Sequence, residues 1–159
     1  LSGMMSSALA PTGALFAFLS LWTGALWGKP MWGAWWVWDA RLTSELILLF
    51  LYVGFIALQS AIDDPRRADK AGAILALVGV VNVPIIYFSV KWWKTLHQGS
   101  SVNFTKSSMA EIMLWGMLLM ALAFWMYAIA VALARVRTLM LERERNAEWV
   151  RKMLSEENA

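Results

Sequence analysis

Apolar residues in this chain come in long blocks, with the charges gathered between and after them. Uncharged runs occupy residues 1–28, 46–62, 71–90 and 112–134. A helix needs about 20 predominantly apolar residues to cross the hydrocarbon core of a bilayer. Three of the runs meet that length as they stand, and the second does so once residues 42–44 and an interfacial Glu45 are added. The pattern predicts membrane spans over about residues 4–26, 42–62, 71–90 and 111–134. Segments 27–41, 63–70 and 91–110 join them, the middle one a polar hairpin turning at Pro65. A charged tail over 135–159 is expected to continue as helix into water. Asn82 and Pro84 inside the third span predict a kink whose freed backbone groups neighbouring helices re-satisfy. Glu45, one turn into the second span, is costly in hydrocarbon unless paired or protonated, so it is expected to face the bundle interior.

Composition rules out the soluble version of this pattern. Of 159 residues, 60% are hydrophobic and only 16% charged, against roughly 25% charged in an ordinary soluble domain. Too little polar sequence remains to cover four such helices in water. The expected fold is therefore an all-α integral membrane protein, with a transmembrane domain over 1–134 and a cytoplasmic helical tail over 135–159. The net charge of +3 follows membrane topology and does not point to nucleic acid. The hairpin carries Arg66, Arg67 and Lys70, and the tail carries six further Lys and Arg. The opposite side carries Lys29, Arg41, Lys91, Lys94 and Lys106. Nine against five places hairpin and tail in the cytoplasm by the positive-inside rule. Segments 27–41 and 91–110 then face outward, into the periplasm of a Gram-negative bacterium. The absence of cysteine removes disulfides, thiolate ligands and thiol nucleophiles, leaving any metal to His, Met or carboxylates. The chain opens on Leu1 with neither an initiator Met nor a charged leader region, and is expected to be the later part of a longer protein.

Tryptophan is concentrated on the outer face: Trp27, Trp32, Trp35, Trp36 and Trp38 in one segment, Trp92 and Trp93 in the other. Interfacial anchoring explains one or two aromatics per helix end, but not this bias to one leaflet. Trp32, Trp35, Trp36 and Asp39 fall at i, i+3, i+4 and i+7, one face of a short interfacial helix if the segment is helical. The resulting aromatic shelf would suit a large planar apolar ligand arriving from the bilayer, such as a porphyrin. Asp39 and Arg41 admit two readings. They could be an N-cap and a snorkelling cation at the start of the second span. Alternatively, Arg41 meets an anionic group while Asp39 orients it or a partner protein. His97 is the only histidine. A lone loop histidine is ordinarily a surface residue, yet this one lies on the tryptophan-rich face and is the one imidazole available to iron. One histidine cannot make a two-histidine haem site, so a second ligand would come from elsewhere. No Gly-rich phosphate loop or Ser–His–Asp set suggests a hydrolase or nucleotidyl site. A quinone-reactive cytochrome b would need histidine pairs within its spans, and no span here contains one.

Two segments carry a family resemblance. WGKPMWGAWWVWDARLTSEL, residues 27–46, is similar to the tryptophan-rich WWD signature of haem-handling membrane proteins. VVNVPIIYFSVKWWKTLHQG, residues 80–99, resembles the segment around the second axial histidine of cytochrome c maturation protein C, the CcmC haem exporter family. With the connecting span the resemblance covers about residues 15–100, and a double match is far more specific than one short motif. It implies a six-span protein in the bacterial inner membrane, of which this chain would begin at the third span. It further implies that haem b is bound in transit at the periplasmic tryptophan-rich loop, between axial histidines in two flanking loops. His97 matches the second of these, and Trp32, Trp35, Trp36, Trp38 and Asp39 match the signature. The first histidine would lie before Leu1 and has no counterpart here. The resemblance also implies presentation of haem to the chaperone CcmE, which bonds it covalently. The CcmA–CcmB ATPase complex would then release the loaded chaperone, with the small protein CcmD assisting. The expected function is haem delivery for cytochrome c maturation, with no enzyme activity of its own and ATP hydrolysis left to partner subunits. In that scheme Trp32, Trp35, Trp36 and Trp38 pack the porphyrin, His97 ligates iron, and Arg41 or a neighbouring lysine meets a propionate. The alternative is a structural transmembrane subunit of an ABC-type transporter without a haem site, docking an ATPase through residues 63–70 and the basic tail.

Overall fold

The computed structural model of the chain describes residues 2–93, 95–97, 99 and 107–157, the side chains of 153–157 excepted. Its elements are five helices: α1 (Ser2–Trp32), α2 (Ala40–Ala61), α3 (Pro65–Trp92), α4 (Glu111–Arg143) and α5 (Glu148–Glu157). The first four are long and apolar enough to cross a membrane, so this is an all-α membrane protein.

The helices run past the apolar blocks that announce them. α1 continues through Pro30 to Trp32 and takes in the first part of segment 27–41. α3 starts at Pro65, not at residue 71, which shrinks the expected hairpin to residues 62–64. The reason is local: a proline at the first helical position gives up only an N–H that would be unpaired anyway. Asp64 completes the start by accepting from the Arg66 N–H at 2.9 Å. Pro84 lies inside α3 without ending it. α4 carries on beyond residue 134 to Arg143, and the tail then breaks before α5 instead of continuing as one helix. Residues 142–146 offer no apolar side chain to pack, and a short helix in water is marginal without packing. Across the break the Trp149 indole N–H donates to Glu144 at 2.8 Å.

α1 packs between α2 and α4, and α2 packs in turn against α3, giving the order α4–α1–α2–α3. The buried positions are mostly small: Ala8, Ala10, Thr12 and Ala17 on α1, Ser44 on α2, Ala68, Gly72 and Ser89 on α3, and Ala132 on α4. Large apolar side chains point outward instead; Phe50 is 63% exposed, Leu77 66% and Trp125 72%. In water such a surface would aggregate. In lipid it is the expected arrangement, because the tails are as apolar as leucine and helices associate through close packing and hydrogen bonds.

Three contacts show how close the helices come. A Cβ on Gly13 of α1 would lie 2.5 Å from the Tyr52 ring of α2. One on Gly72 of α3 would lie 2.8 Å from the Phe55 ring, beside Gln59, whose amide donates to the Ala68 carbonyl at 3.0 Å. Gly3 meets the Asp69 carboxylate. That carboxylate also receives both terminal nitrogens of Arg143, at 3.1 and 3.2 Å, joining α1, α3 and α4 at one end. Higher in the α2–α3 interface, Asn82 Nδ2 donates to the Ser44 carbonyl at 2.9 Å in a buried contact. Glu45 is half-buried, one turn along α2 from Arg41.

The Gly13–Tyr52 contact makes a quantitative prediction. Gly13→Ala should destabilise the chain by about 1–3 kcal/mol, the usual cost of overpacking. In a double-mutant cycle followed by thermal unfolding in detergent, Tyr52→Ala should remove most of that penalty. Strict additivity would show that the ring is not the obstacle.

Candidate functional site

The end of α1 is set by Gly33, whose φ of +76° is the left-handed conformation that terminates helices and that glycine adopts without strain. Its N–H donates to the Lys29 carbonyl at 3.0 Å, and Lys29 Nζ donates back to the Gly33 carbonyl at 3.2 Å. The chain then runs non-helical to Asp39, where α2 begins. The short interfacial helix expected over this segment does not form, and the i, i+3, i+4, i+7 spacing does not place its residues on one face. The left-handed glycine has already ended α1, and Asp39, extended at φ −102° and ψ 168°, is already committed as the cap of α2. Five residues between two such anchors leave no room for a turn of helix with its own caps.

The tryptophans consequently separate into groups. Trp32, on the last turn of α1, packs edge-to-face against Trp27 at a centroid distance of 5.2 Å. It packs likewise against the His97 imidazole at 4.7 Å. Buried Gly28 makes room beneath it: a Cβ there would come 3.1 Å from the Trp32 ring. Trp36 and Trp38 form a second edge-to-face pair at 5.3 Å. The Trp36 indole nitrogen is buried with no hydrogen-bond partner, whereas Trp38 is 76% exposed. Trp35 is exposed with the Lys29 ammonium 5.9 Å from its ring centroid. At the end of α3, the exposed rings of Trp92 and Trp93 meet at 5.8 Å, and Trp92 stacks on Phe88 at 5.1 Å.

Asp39 links the two outer segments. One carboxylate oxygen accepts the Leu42 N–H at 2.8 Å and caps α2. The other lies 2.9 Å from Nδ1 of His97, with only 6% of the aspartate side chain and 19% of the histidine side chain exposed. A buried carboxylate is costly unless its oxygens are paired. Here both are, and the helix N-terminus adds its own partial positive charge. A carboxylate has no proton to give, so Nδ1 carries the shared hydrogen, and in the neutral imidazole Nε2 then keeps a free lone pair. The Thr95 hydroxyl accepts the His97 main-chain N–H at 3.2 Å, and Trp32 closes one side of the ring. Among the described residues no three His, Asp or Glu side chains converge on a metal position.

Of the residues singled out in the sequence, the fold brings His97, Asp39 and Trp32 into direct contact. Trp35, Trp36 and Trp38 stand along the same connection. Arg41 sits half-buried in the first turn of α2 with no ion-pair partner among the described residues. Lys94 and Lys106, counted on the outer face, lie outside the described residues. The Asp39–His97 pair was not foreseen, because nothing local connects positions 58 residues apart. Its one signal was that a capping aspartate and the sole histidine fell on the same membrane face.

Comparison with known proteins places this arrangement in a family. Residues 1–151 match the family described as CcmC, heme exporter protein C. Heme exporter protein C of Escherichia coli K12 is 49% identical over 156 residues, which is 97% of this chain and 62% of that protein. The Haemophilus influenzae protein is 53% identical over 145 residues, 91% of this chain and 59% of its own length. That of Bradyrhizobium diazoefficiens is 51% identical over 144 residues, 90% and 55% respectively. The chain thus spans about three fifths of the length of the relatives it matches. With agreement of this depth across nearly all its residues, the chain belongs to the heme exporter protein C (CcmC) family.

Proposed function

We propose that this chain carries haem at its outer membrane face for cytochrome c maturation, binding the iron through Nε2 of His97. The observation that carries this reading is the contact between Asp39 and His97 Nδ1 at 2.9 Å. A metal-binding imidazole ordinarily donates its second N–H to a carboxylate or carbonyl, which fixes the tautomer and raises ligand basicity. Asp39 is placed to do both, and the packed Trp32 ring limits rotation of the imidazole. The names of the relatives agree with this cargo. Besides the bacterial heme exporters, a Marchantia polymorpha protein named as a putative cytochrome c biosynthesis ccmC-like mitochondrial protein is 52% identical over 100 residues.

The exposed rings of Trp35, Trp38, Trp92 and Trp93 supply apolar surface on the segment that leads to Asp39 and at the end of α3. Planar contact of that kind gives most of the affinity for a porphyrin, while a few polar groups fix its orientation. Lys29 and Arg41 are the cations nearest the tryptophan connection in sequence, and a guanidinium matches a propionate carboxylate in geometry. With one histidine in the chain, the second axial position is filled by a group other than an imidazole of this sequence, such as one on the acceptor. Haem b held this way on the periplasmic side of the inner membrane, at a packed but partly open site, is suited to hand-over. The recipient is the chaperone CcmE, and CcmA, CcmB and CcmD form the surrounding transporter complex.

Two substitutions test the site separately from the fold. His97→Ala should abolish the imidazole-ligated component of the reduced haem spectrum of the purified protein. An unchanged spectrum would mean that another group ligates the iron. Asp39→Asn is the sharper variant. Its amide oxygen still caps α2, but its NH2 group faces Nδ1 and drives the imidazole proton to Nε2, where it blocks ligation. Helix content by circular dichroism should stay at the wild-type level while haem affinity falls about 10–100-fold. Equal losses of helix and haem would reduce Asp39 to a cap.

A further inference from the structure

Asn82 is an amide side chain only 7% exposed, well inside a membrane-spanning helix. Such a group is expensive in hydrocarbon unless it is paired. Its Nδ2 donates to the main-chain carbonyl of Ser44 at 2.9 Å. Ser44 is itself buried, and its hydroxyl returns to the Ala40 carbonyl at 2.7 Å, in the turn that Asp39 caps. The Asn82–Ser44 and Asp39–His97 contacts therefore join the same two parts of the chain at two heights. Ser44 lies five residues beyond Asp39, or about 7.5 Å along α2. Trp92 lies ten residues beyond Asn82, or about 15 Å along α3. α3 thus overshoots Asp39, and the His97 imidazole still meets the Asp39 carboxylate at 2.9 Å.

We propose that Asn82 is a positioning residue for His97. It fixes α3 axially against the first turns of α2, and that height decides whether Nδ1 reaches Asp39. Toward the other end of the α2–α3 contact Gln59 donates to the Ala68 carbonyl at 3.0 Å, and the packing between is largely small and apolar groups such as Gly72 and Phe55, which resist sliding weakly. A directional hydrogen bond in such an interface helps select a register, and the Asn82 bond is the one at the end next to Asp39. A slip of one residue, about 1.5 Å, would stretch the 2.9 Å contact beyond hydrogen-bonding range. The functional meaning of this device rests on the reading of His97 as the iron ligand; its geometry does not.

The sole histidine makes the test direct. In chain labelled with 15N-histidine and studied without added haem, nitrogen chemical shifts report one imidazole and its tautomer. The wild type should show the Nδ1–H form, and Asn82→Leu should give a mixture of the two tautomers in comparable amounts. Ser44→Ala keeps the accepting carbonyl and should match the wild type. Should the leucine variant fail to fold, Asn82→Ser, too short to reach the carbonyl, is read the same way. Folded Asn82 variants that retain the wild-type tautomer would overturn the proposal, as would a wild type lacking the Nδ1–H form. Haem titration of the same samples separates the two readings. A tautomer that follows Asn82 in a chain that binds no haem would sink the proposed function and leave the positioning role standing.

Discussion

Asp39 divides its carboxylate between the first turn of α2 and the imidazole of His97, 58 residues further along the chain. Each bond makes the other affordable. The helix start brings an N–H and the positive end of the backbone dipole to an otherwise costly buried charge. The charge in turn settles which imidazole nitrogen holds its proton. The neighbouring features serve that pair: Gly33 ends α1 so that the chain can reach α2, Gly28 leaves space for the Trp32 ring, and Trp32 closes on the histidine.

The bilayer constrains how such a site can be held in place. Helices in lipid gain little from burying apolar side chains against each other, so this chain brings backbones close through small residues and crosses them with a few polar contacts. The Gly13–Tyr52 approach, the Gln59–Ala68 bond and the Asp69–Arg143 pair hold the row of helices together. The large side chains, left on the outside, face the tails. The site itself lies at one end of this row, where α1 finishes, α2 starts and the chain leaves α3.

Much of this was legible in the residues. Four runs of about 20 uncharged residues permit few structures other than four membrane helices, and the two tryptophan-rich motifs carried the family. The helix ends were less legible. Pro65 starts a helix although proline usually marks a turn, and α4 outlasts its apolar run because helical hydrogen bonding does not stop where the lipid does. The expected short helix over the tryptophan segment fails for a physical reason. Spacing alone matches a helical face, but one left-handed glycine overrides it. Asp39 was weighed as a cap or as a site residue, and it is both a cap and the partner of His97. A carboxylate with two oxygens does not have to choose. That pairing is long-range, and no local pattern encodes it.

The central claim is that His97, oriented by Asp39, is the group that takes the iron. Because the chain has a single histidine, one measurement addresses it without any substitution. Ferric haem is added to chain labelled with 15N-histidine, and pulsed electron–nuclear double resonance is recorded on the signal of the bound haem. A 15N coupling of the strength of a directly bound imidazole is the predicted result. Bound haem whose spectrum lacks any histidine 15N coupling would contradict the account.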